Sequence, residues 1–166
     1  NKKIAYIIFA AIILISSFLT TNQQKYFTNP LSFLQKVDSE KPNYNTVFAN
    51  LYSYHLLKNG YFHKAEEKTK EIAEITGYKN AYNLYLLSVI YMYERKYQEA
   101  AEILESIINF DKTDILIKLH ICYNLCGKTD KSVYYYALAV KSCSGGKEKT
   151  DALIKMQEEN LKNVKI

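Results

Sequence analysis

Apolar positions recur at steps of three and four residues along most of the chain, and this spacing is typical of amphipathic helices. The pattern is clearest between residues 46 and 143, where apolar stretches come in pairs separated by short turns. The whole sequence has 5 Gly and 2 Pro residues, which is little material for the many turns of a β-sandwich or barrel. We therefore expect an all-α protein.

Three segments within this region share one outline: a turn, then an aromatic residue or Thr, then a small residue three positions later. The small residues are Ala65, Ala100 and Ser132, which are 35 and 32 positions apart. A small side chain at a fixed place in each unit allows two helices to approach closely. The spacing predicts three helix pairs, and an ordinary helical bundle with coincidental spacing is the alternative.

The middle unit carries the fullest pattern, with Leu84, Leu87, Ser88 and Tyr91 before the turn and Ala100 opening the second helix. This unit resembles the tetratricopeptide repeat (TPR), a helix pair of about 34 residues. The resemblance covers roughly residues 45 to 143. It implies a right-handed α-solenoid of about three TPR-like helix pairs, in which the first helix of each pair lines a concave groove.

An apolar segment without a charge occupies residues 4–19, and Lys2 and Lys3 precede it. As a helix it would extend roughly 24 Å, somewhat less than the ~30 Å hydrocarbon core of a bilayer. The residues that follow lack the small-residue pattern of a signal peptidase site. We expect a membrane anchor at residues 1–21, and a cleaved signal segment or a buried core helix are the alternatives. The two Lys place their flank in the cytoplasm, so the rest of the chain would be extracytoplasmic.

The region between this segment and the repeats, residues 22–45, is polar. It is expected to be a spacer with a short helix, which Asn29 caps and which holds Pro30 in its first turn. Pro42 marks the boundary to the repeats, because the residue before a Pro avoids helical geometry.

The region after the repeats follows the helix-breaking sequence Ser144-Gly145-Gly146. Residues 147–166 are expected to form a capping helix, because one apolar stripe on a polar helix can cover the open end of a stack. The stripe consists of Leu153, Ile154, Gln157, Leu161 and Val164.

Residues for catalysis or metal binding do not cluster in the sequence. His120, Cys122 and Cys126 come closest to a metal motif, but on a helix His120 points about 160° away from Cys122. The three Cys are best explained as small core residues, with a reactive or partner-linked thiol as the alternative. The sequence has no Gly-rich phosphate loop and no nucleophile elbow. We therefore predict no enzyme activity, no metal and no cofactor.

The charge of the chain is mildly positive, with 22 Lys and Arg residues against 17 Asp and Glu residues. Arg95 is the only Arg, whereas recognition of bases and phosphates favours Arg clusters. We therefore predict no nucleic-acid partner. The excess of Lys is typical of an AT-rich bacterial genome.

Aromatic residues are frequent, with 16 Tyr and 7 Phe. If the first helix of each pair lines a concave face, as the resemblance implies, that face exposes a set of Tyr and aliphatic side chains to a partner. Such a surface suits a peptide, because Tyr provides a large contact area and a hydrogen-bonding tip. The alternative is that several of them are core residues or lie under the capping helix. The set consists of Tyr54, Tyr82, Tyr85, Val89, Tyr93, Ile117 and Ile121.

Together these features predict a non-enzymatic, membrane-anchored scaffold or assembly factor that binds a protein partner within a larger complex. The layout resembles single-pass proteins of the bacterial inner membrane with a periplasmic TPR domain, which assemble envelope machines such as flagellar motors or secretion systems. The alternatives are a TPR-type periplasmic chaperone or translocon accessory protein, and a regulatory subunit of a membrane enzyme.

The predicted anchor can be tested by intact-mass measurement of the protein extracted from membranes. We expect the mature protein to retain residues 4–19, because no cleavage signal follows them. A mature species that begins near residue 20 would instead identify a cleaved signal segment.

Overall fold

The computed structural model describes residues 29–40 and 45–163. The predicted anchor at residues 4–19, the polar residues 22–28 and the boundary at Pro42 lie outside the described residues. Among the helices of the described ranges, none combines the length and the apolar character needed to cross a membrane.

Eight helices account for most of the described residues, and these residues contain no strand. This confirms the prediction of an all-α protein. The helices are α1 (Pro30–Glu40), α2 (Thr46–Lys58), α3 (Phe62–Ile75), α4 (Ala81–Tyr93), α5 (Tyr97–Ser106), α6 (Lys112–Leu125), α7 (Thr129–Ser142) and α8 (Gly146–Asn163).

Each of these helices packs against the next one along the chain, and α2 also contacts α4. The last helix, α8, packs against both α6 and α7. It does so with Leu153, Ile154 and Leu161, which lie against the buried apolar residues of the neighbouring helices. The predicted apolar stripe is confirmed for these three residues, and Val164 lies outside the described residues.

Asparagine residues cap the N-termini of three of the helices. The side-chain oxygens of Asn29, Asn45 and Asn80 accept hydrogen bonds from backbone N–H groups in the first turns of α1, α2 and α4, at 3.0, 2.9 and 3.1 Å. Each bond satisfies a donor that has no partner within the helix itself. The predicted Asn29 cap, with Pro30 in the first turn, is therefore confirmed.

A residue with a left-handed backbone lies two positions before the start of α3, α5 and α7. These residues are Gly60, Arg95 and Gly127, with φ angles of 79°, 63° and 72°. After each of them, the next N–H donates to the carbonyl five positions earlier, at 2.9, 2.8 and 2.9 Å. This bond closes a Schellman turn, which ends one helix and lets the next reverse direction within two residues.

Small residues lie five positions after each of these turns, at the contact between the paired helices. Ala65 and Ala100 are completely buried, and Ser132 is 3% exposed. Ser53 on α2 and Ser88 on α4 are also completely buried. The repeat alignment therefore identified the positions where neighbouring helices leave no room for a larger side chain.

His120 on α6 occupies the position that Ser53 and Ser88 hold in the other two units. Its ring packs against α7, where Nδ1 lies 2.9 Å from Ser132 Oγ and 3.1 Å from the Ser132 carbonyl oxygen. The larger side chain is accommodated because it faces a small, polar residue with which it can form a hydrogen bond.

Helix α1, predicted as part of a spacer, packs against α2 and belongs to the folded body. Leu34 is 3% exposed and shares an apolar cluster with Leu56 of α2. Lys68 of α3 also donates a hydrogen bond to Asp38 of α1 at 2.7 Å. Burial alone would lower the pKa of the Lys68 ammonium, but its bonds to Asp38 and Glu71 outweigh burial and raise that pKa.

The Glu105 carboxylate on α5 connects α5, α6 and α7 through hydrogen bonds. Glu105 Oε1 accepts hydrogen bonds from Tyr123 on α6 at 2.6 Å and from Tyr135 on α7 at 2.9 Å, and Lys131 lies 3.2 Å away. Burial alone would raise the pKa of the Glu105 carboxyl, but these three donors hold it below its usual value. The rings of Tyr123 and Tyr135 stack with centroids 5.6 Å apart.

The close helix contact can be tested with Ala100→Leu. The substitution should overpack the crossing of α4 and α5 and lower the free energy of unfolding by about 1 to 3 kcal/mol. Ala137→Leu, on the exposed surface of α7, is the matched control and should change stability little. Urea unfolding followed by circular dichroism measures both, and equal stabilities for the two variants would contradict the placement of Ala100.

Candidate partner-binding groove

Four helices, α2, α4, α6 and α8, contribute to one open groove with a volume of about 430 Å³. Volumes of this size are typical of ligand sites. We call it the tyrosine groove. It is lined by Tyr54, Leu57, Tyr82, Tyr85, Leu86, Val89, Met92, Tyr93, Asp114, Lys118, Met156, Gln157, Asn160 and Leu161.

Five of the seven residues predicted to bind a partner come together in this groove. They are Tyr54, Tyr82, Tyr85, Val89 and Tyr93. The Tyr54 and Tyr82 side chains project far enough that each residue remains 40% exposed. Their role in partner binding stays a prediction, but the structure places all five on one continuous surface.

Ile117 and Ile121 do not line the groove, so the expectation that they are exposed there was wrong. They are 1% and 0% exposed and belong to the apolar core. The reason is that α6 packs against α5, α7 and α8, and α8 adds Leu153 and Leu161 to the same cluster. Ile117 and Ile121 therefore lie in the core among these helices and not on an exposed face of α6.

A second pocket of about 450 Å³ adjoins the tyrosine groove and shares Tyr54, Leu57, Val89 and Tyr93 with it. Its remaining lining residues are Lys58, Gly60 and Phe62. The Phe62 and Tyr93 rings lie 5.6 Å apart between centroids and are tilted by 36°. Because the two pockets share one wall, the groove continues into a second pocket that reaches the turn between α2 and α3.

The rim of the groove at the start of α4 is also aromatic. Phe110, in the connection before α6, is 47% exposed and lies 6.4 Å from the Tyr82 ring and 6.0 Å from the Tyr85 ring. The Tyr82 and Phe110 rings meet edge to face, and the Tyr85 and Phe110 rings are tilted by 49°. Phe110 therefore contacts both tyrosines from a neighbouring pocket, and the sequence analysis did not identify it.

A polar cluster forms the end of the groove next to α8. Lys118 Nζ lies 2.7 and 2.8 Å from the two carboxylate oxygens of Asp114. Tyr85 donates to Asp114 Oδ2 at 2.8 Å, and Gln157 of α8 donates to Asp114 Oδ1 at 2.8 Å. One carboxylate on α6 therefore connects α4 and α8, and we call these four residues the Asp114 cluster.

The protonation of Tyr85 is fixed by its surroundings. Burial, followed by the neighbouring Asp114 carboxylate, raises the pKa of the Tyr85 hydroxyl well above its usual value. The hydroxyl therefore keeps its proton and remains a donor to Asp114 at physiological pH. Lys118 Nζ also lies 5.4 Å from the centre of the Tyr85 ring, within the range of a cation–π contact.

The sequence analysis missed most of the polar end of the groove. Asp114 and Lys118 are spaced i,i+4, which on a helix usually indicates a solvent-exposed ion pair. Here the Lys118 side chain is only 10% exposed and that of Asp114 26%. Gln157 was the one polar member of the predicted apolar stripe of α8. A polar residue within an apolar stripe indicates a buried hydrogen bond, and this was the signal in the sequence for the contact with Asp114.

The cysteines lie away from the groove. Cys122 is fully buried on α6, and burial raises the pKa of its thiol to about 12. Among residues 29–40 and 45–163, no three His, Cys, Asp or Glu side chains are grouped so as to hold a metal ion.

Comparison with known proteins gave no relative: no family model matches the chain, and no curated protein matches it. The geometry of the tyrosine groove and the pattern of the sequence are therefore the basis for a functional proposal.

The Asp114 cluster leads to a testable order of stabilities. Asp114→Ala leaves the Lys118 ammonium buried without its carboxylate, and we expect a loss of about 3 kcal/mol in the free energy of unfolding. Lys118→Met should cost less, because Asp114 keeps the donors Tyr85 and Gln157. The double variant should be more stable than Asp114→Ala alone, since it removes the unpaired charge. Urea unfolding measures all three, and a double variant less stable than Asp114→Ala would contradict this account.

Proposed function

We propose that the protein is a non-enzymatic, membrane-anchored scaffold that holds a protein partner in the tyrosine groove. The observation that carries the proposal is the groove itself, an open apolar surface from which Tyr54 and Tyr82 project. Monomeric proteins rarely expose large apolar patches unless the patch binds something. Tyrosine is also among the residues that contribute most to binding at protein interfaces.

The shape of the binding surface is proposed to be that of a TPR-like right-handed solenoid. In this arrangement α2 and α3, α4 and α5, and α6 and α7 form the three pairs, and α8 caps the end. Two observations support it: the three Schellman turns share one geometry, and the first helix of each pair contributes residues to the groove. A partner segment lying in the groove would contact all three pairs.

The location of the scaffold is proposed from the sequence. The apolar segment at residues 4–19 would anchor the protein in a bacterial inner membrane as a single pass. Lys2 and Lys3 would stay on the cytoplasmic side, so the helical domain would lie on the extracytoplasmic side. A scaffold in this position would take part in a larger envelope complex, such as a flagellar motor or a secretion system.

The proposal can be tested by cross-linking in membranes, followed by detergent extraction and purification of the complex. In the double variant Tyr54→Ala with Tyr82→Ala, we expect at least a tenfold loss of the captured partner, because interface tyrosines often contribute about 2 kcal/mol or more each. Helical content should not change, since both side chains are exposed and the variant removes no buried contact of the core.

The matched control is Val133→Ala with Tyr134→Ala. These two residues of α7 are 61% and 58% exposed and do not line the tyrosine groove. We expect the control to capture the partner as the wild type does. Equal capture by the groove variant and the wild type would assign binding to another surface and contradict the proposal.

A further inference from the structure

The charged groups of the tyrosine groove are already paired with each other. Each carboxylate oxygen of Asp114 accepts two donors: Lys118 and Gln157 at Oδ1, and Lys118 and Tyr85 at Oδ2. A carboxylate has about four lone-pair sites. Asp114 therefore has no acceptor left for a group on a bound partner.

The ammonium group of Lys118 is satisfied in the same way. It contacts both oxygens of Asp114, and Gln157 Oε1 lies 3.4 Å from it as a further acceptor. Both polar atoms of the Gln157 amide are thus engaged within the cluster. Among the residues that line the groove and the adjoining pocket, the one further charged residue is Lys58, which is exposed and lines the adjoining pocket rather than the groove.

This pairing determines what the groove can accept. A charged side chain entering it would lose water and find no free counter-charge, which is costly in a site of low polarity. An apolar side chain would gain contact with Leu57, Leu86 and Val89, and burial of apolar surface is favourable by about 25 cal/mol per Å². Tyr54 and Tyr82 also line the groove, and a tyrosine hydroxyl can form a hydrogen bond with the backbone of a peptide.

We infer that the groove is selective for an uncharged, apolar peptide segment of the partner protein and rejects acidic and basic segments. The inference rests on the proposed function and specifies the chemistry of the partner. The structural basis is the Asp114 cluster, which neutralises the groove from within.

The test uses the full chain in lipid nanodiscs and three ten-residue peptides of Leu, Ala and Ser with the same neutral fluorophore. The peptides differ at one central position, which is Ser, Asp or Lys. Fluorescence anisotropy gives the affinities, and empty nanodiscs correct for partition into lipid. We expect the Ser peptide to bind at least about tenfold more tightly than either charged peptide. Its affinity should change less than about twofold between ionic strengths of about 0.01 and 1 M.

Two variants test the role of the Asp114 cluster directly. Asp114→Asn leaves the Lys118 charge without a carboxylate, and the Asp peptide should then become the tightest of the three. Lys118→Met leaves the Asp114 charge without an ammonium, and the Lys peptide should then bind most tightly. A purely structural role of the cluster would weaken all three peptides equally, and equal weakening would overturn the inference.

The affinities of the three peptides for the wild-type protein test the inference even if a variant does not fold. Equal or tighter binding of a charged peptide to the wild type would overturn it, and so would failure of the Ser peptide to bind. Neither result bears on the proposed function, which depends on capture of the natural partner by Tyr54 and Tyr82. A photo-cross-linking amino acid at position 89 provides the last check. Its attachment to residues 4–19 of the same chain would assign the groove to that segment instead of a partner.

Discussion

The close contact between the two helices of each pair is the constraint on which the rest of the structure depends. In all three pairs the chain reverses at a left-handed residue, and a small residue follows five positions later at the helix crossing. Ala65 and Ala100 have no exposed surface, so these two positions place only a methyl group at the contact between the paired helices. The turn fixes the direction of the second helix and the small residue fixes its distance. Together they leave each pair few alternative arrangements.

The groove is built from helices that do not follow each other directly in the chain. Residues of α2, α4 and α6 line the same surface, and α8 adds to it. The residues on that surface are not needed for the crossings within the pairs, so they are free to be large and aromatic. This explains why Tyr54 and Tyr82 can remain 40% exposed.

The sequence predicted those features that depend on residues close together in the chain. The turns at Gly60 and Gly127 and the small residues after them have a local signature, and the Asn29 cap depends on two neighbouring positions. Most of the features that it missed depend on distant pairs. Gln157 reaches Asp114 across 43 positions, and Lys68 reaches Asp38 across 30. Ile117 and Ile121 were misplaced for the same reason, because their burial depends on how α5, α7 and α8 pack around α6 and not on α6 alone.

The Asp114 cluster links the stability of the domain to the chemistry of its groove. The bond from Gln157 holds α8 against α6, and the same carboxylate neutralises Lys118 at the groove's end. A buried ion pair of this kind often adds little net stability compared with apolar residues of the same shape. An apolar replacement would fill the space equally well, but it would leave α8 without a directional contact to α6. The ion pair is therefore better explained by the precise position it gives to α8, and hence to the groove wall that Met156 and Leu161 form.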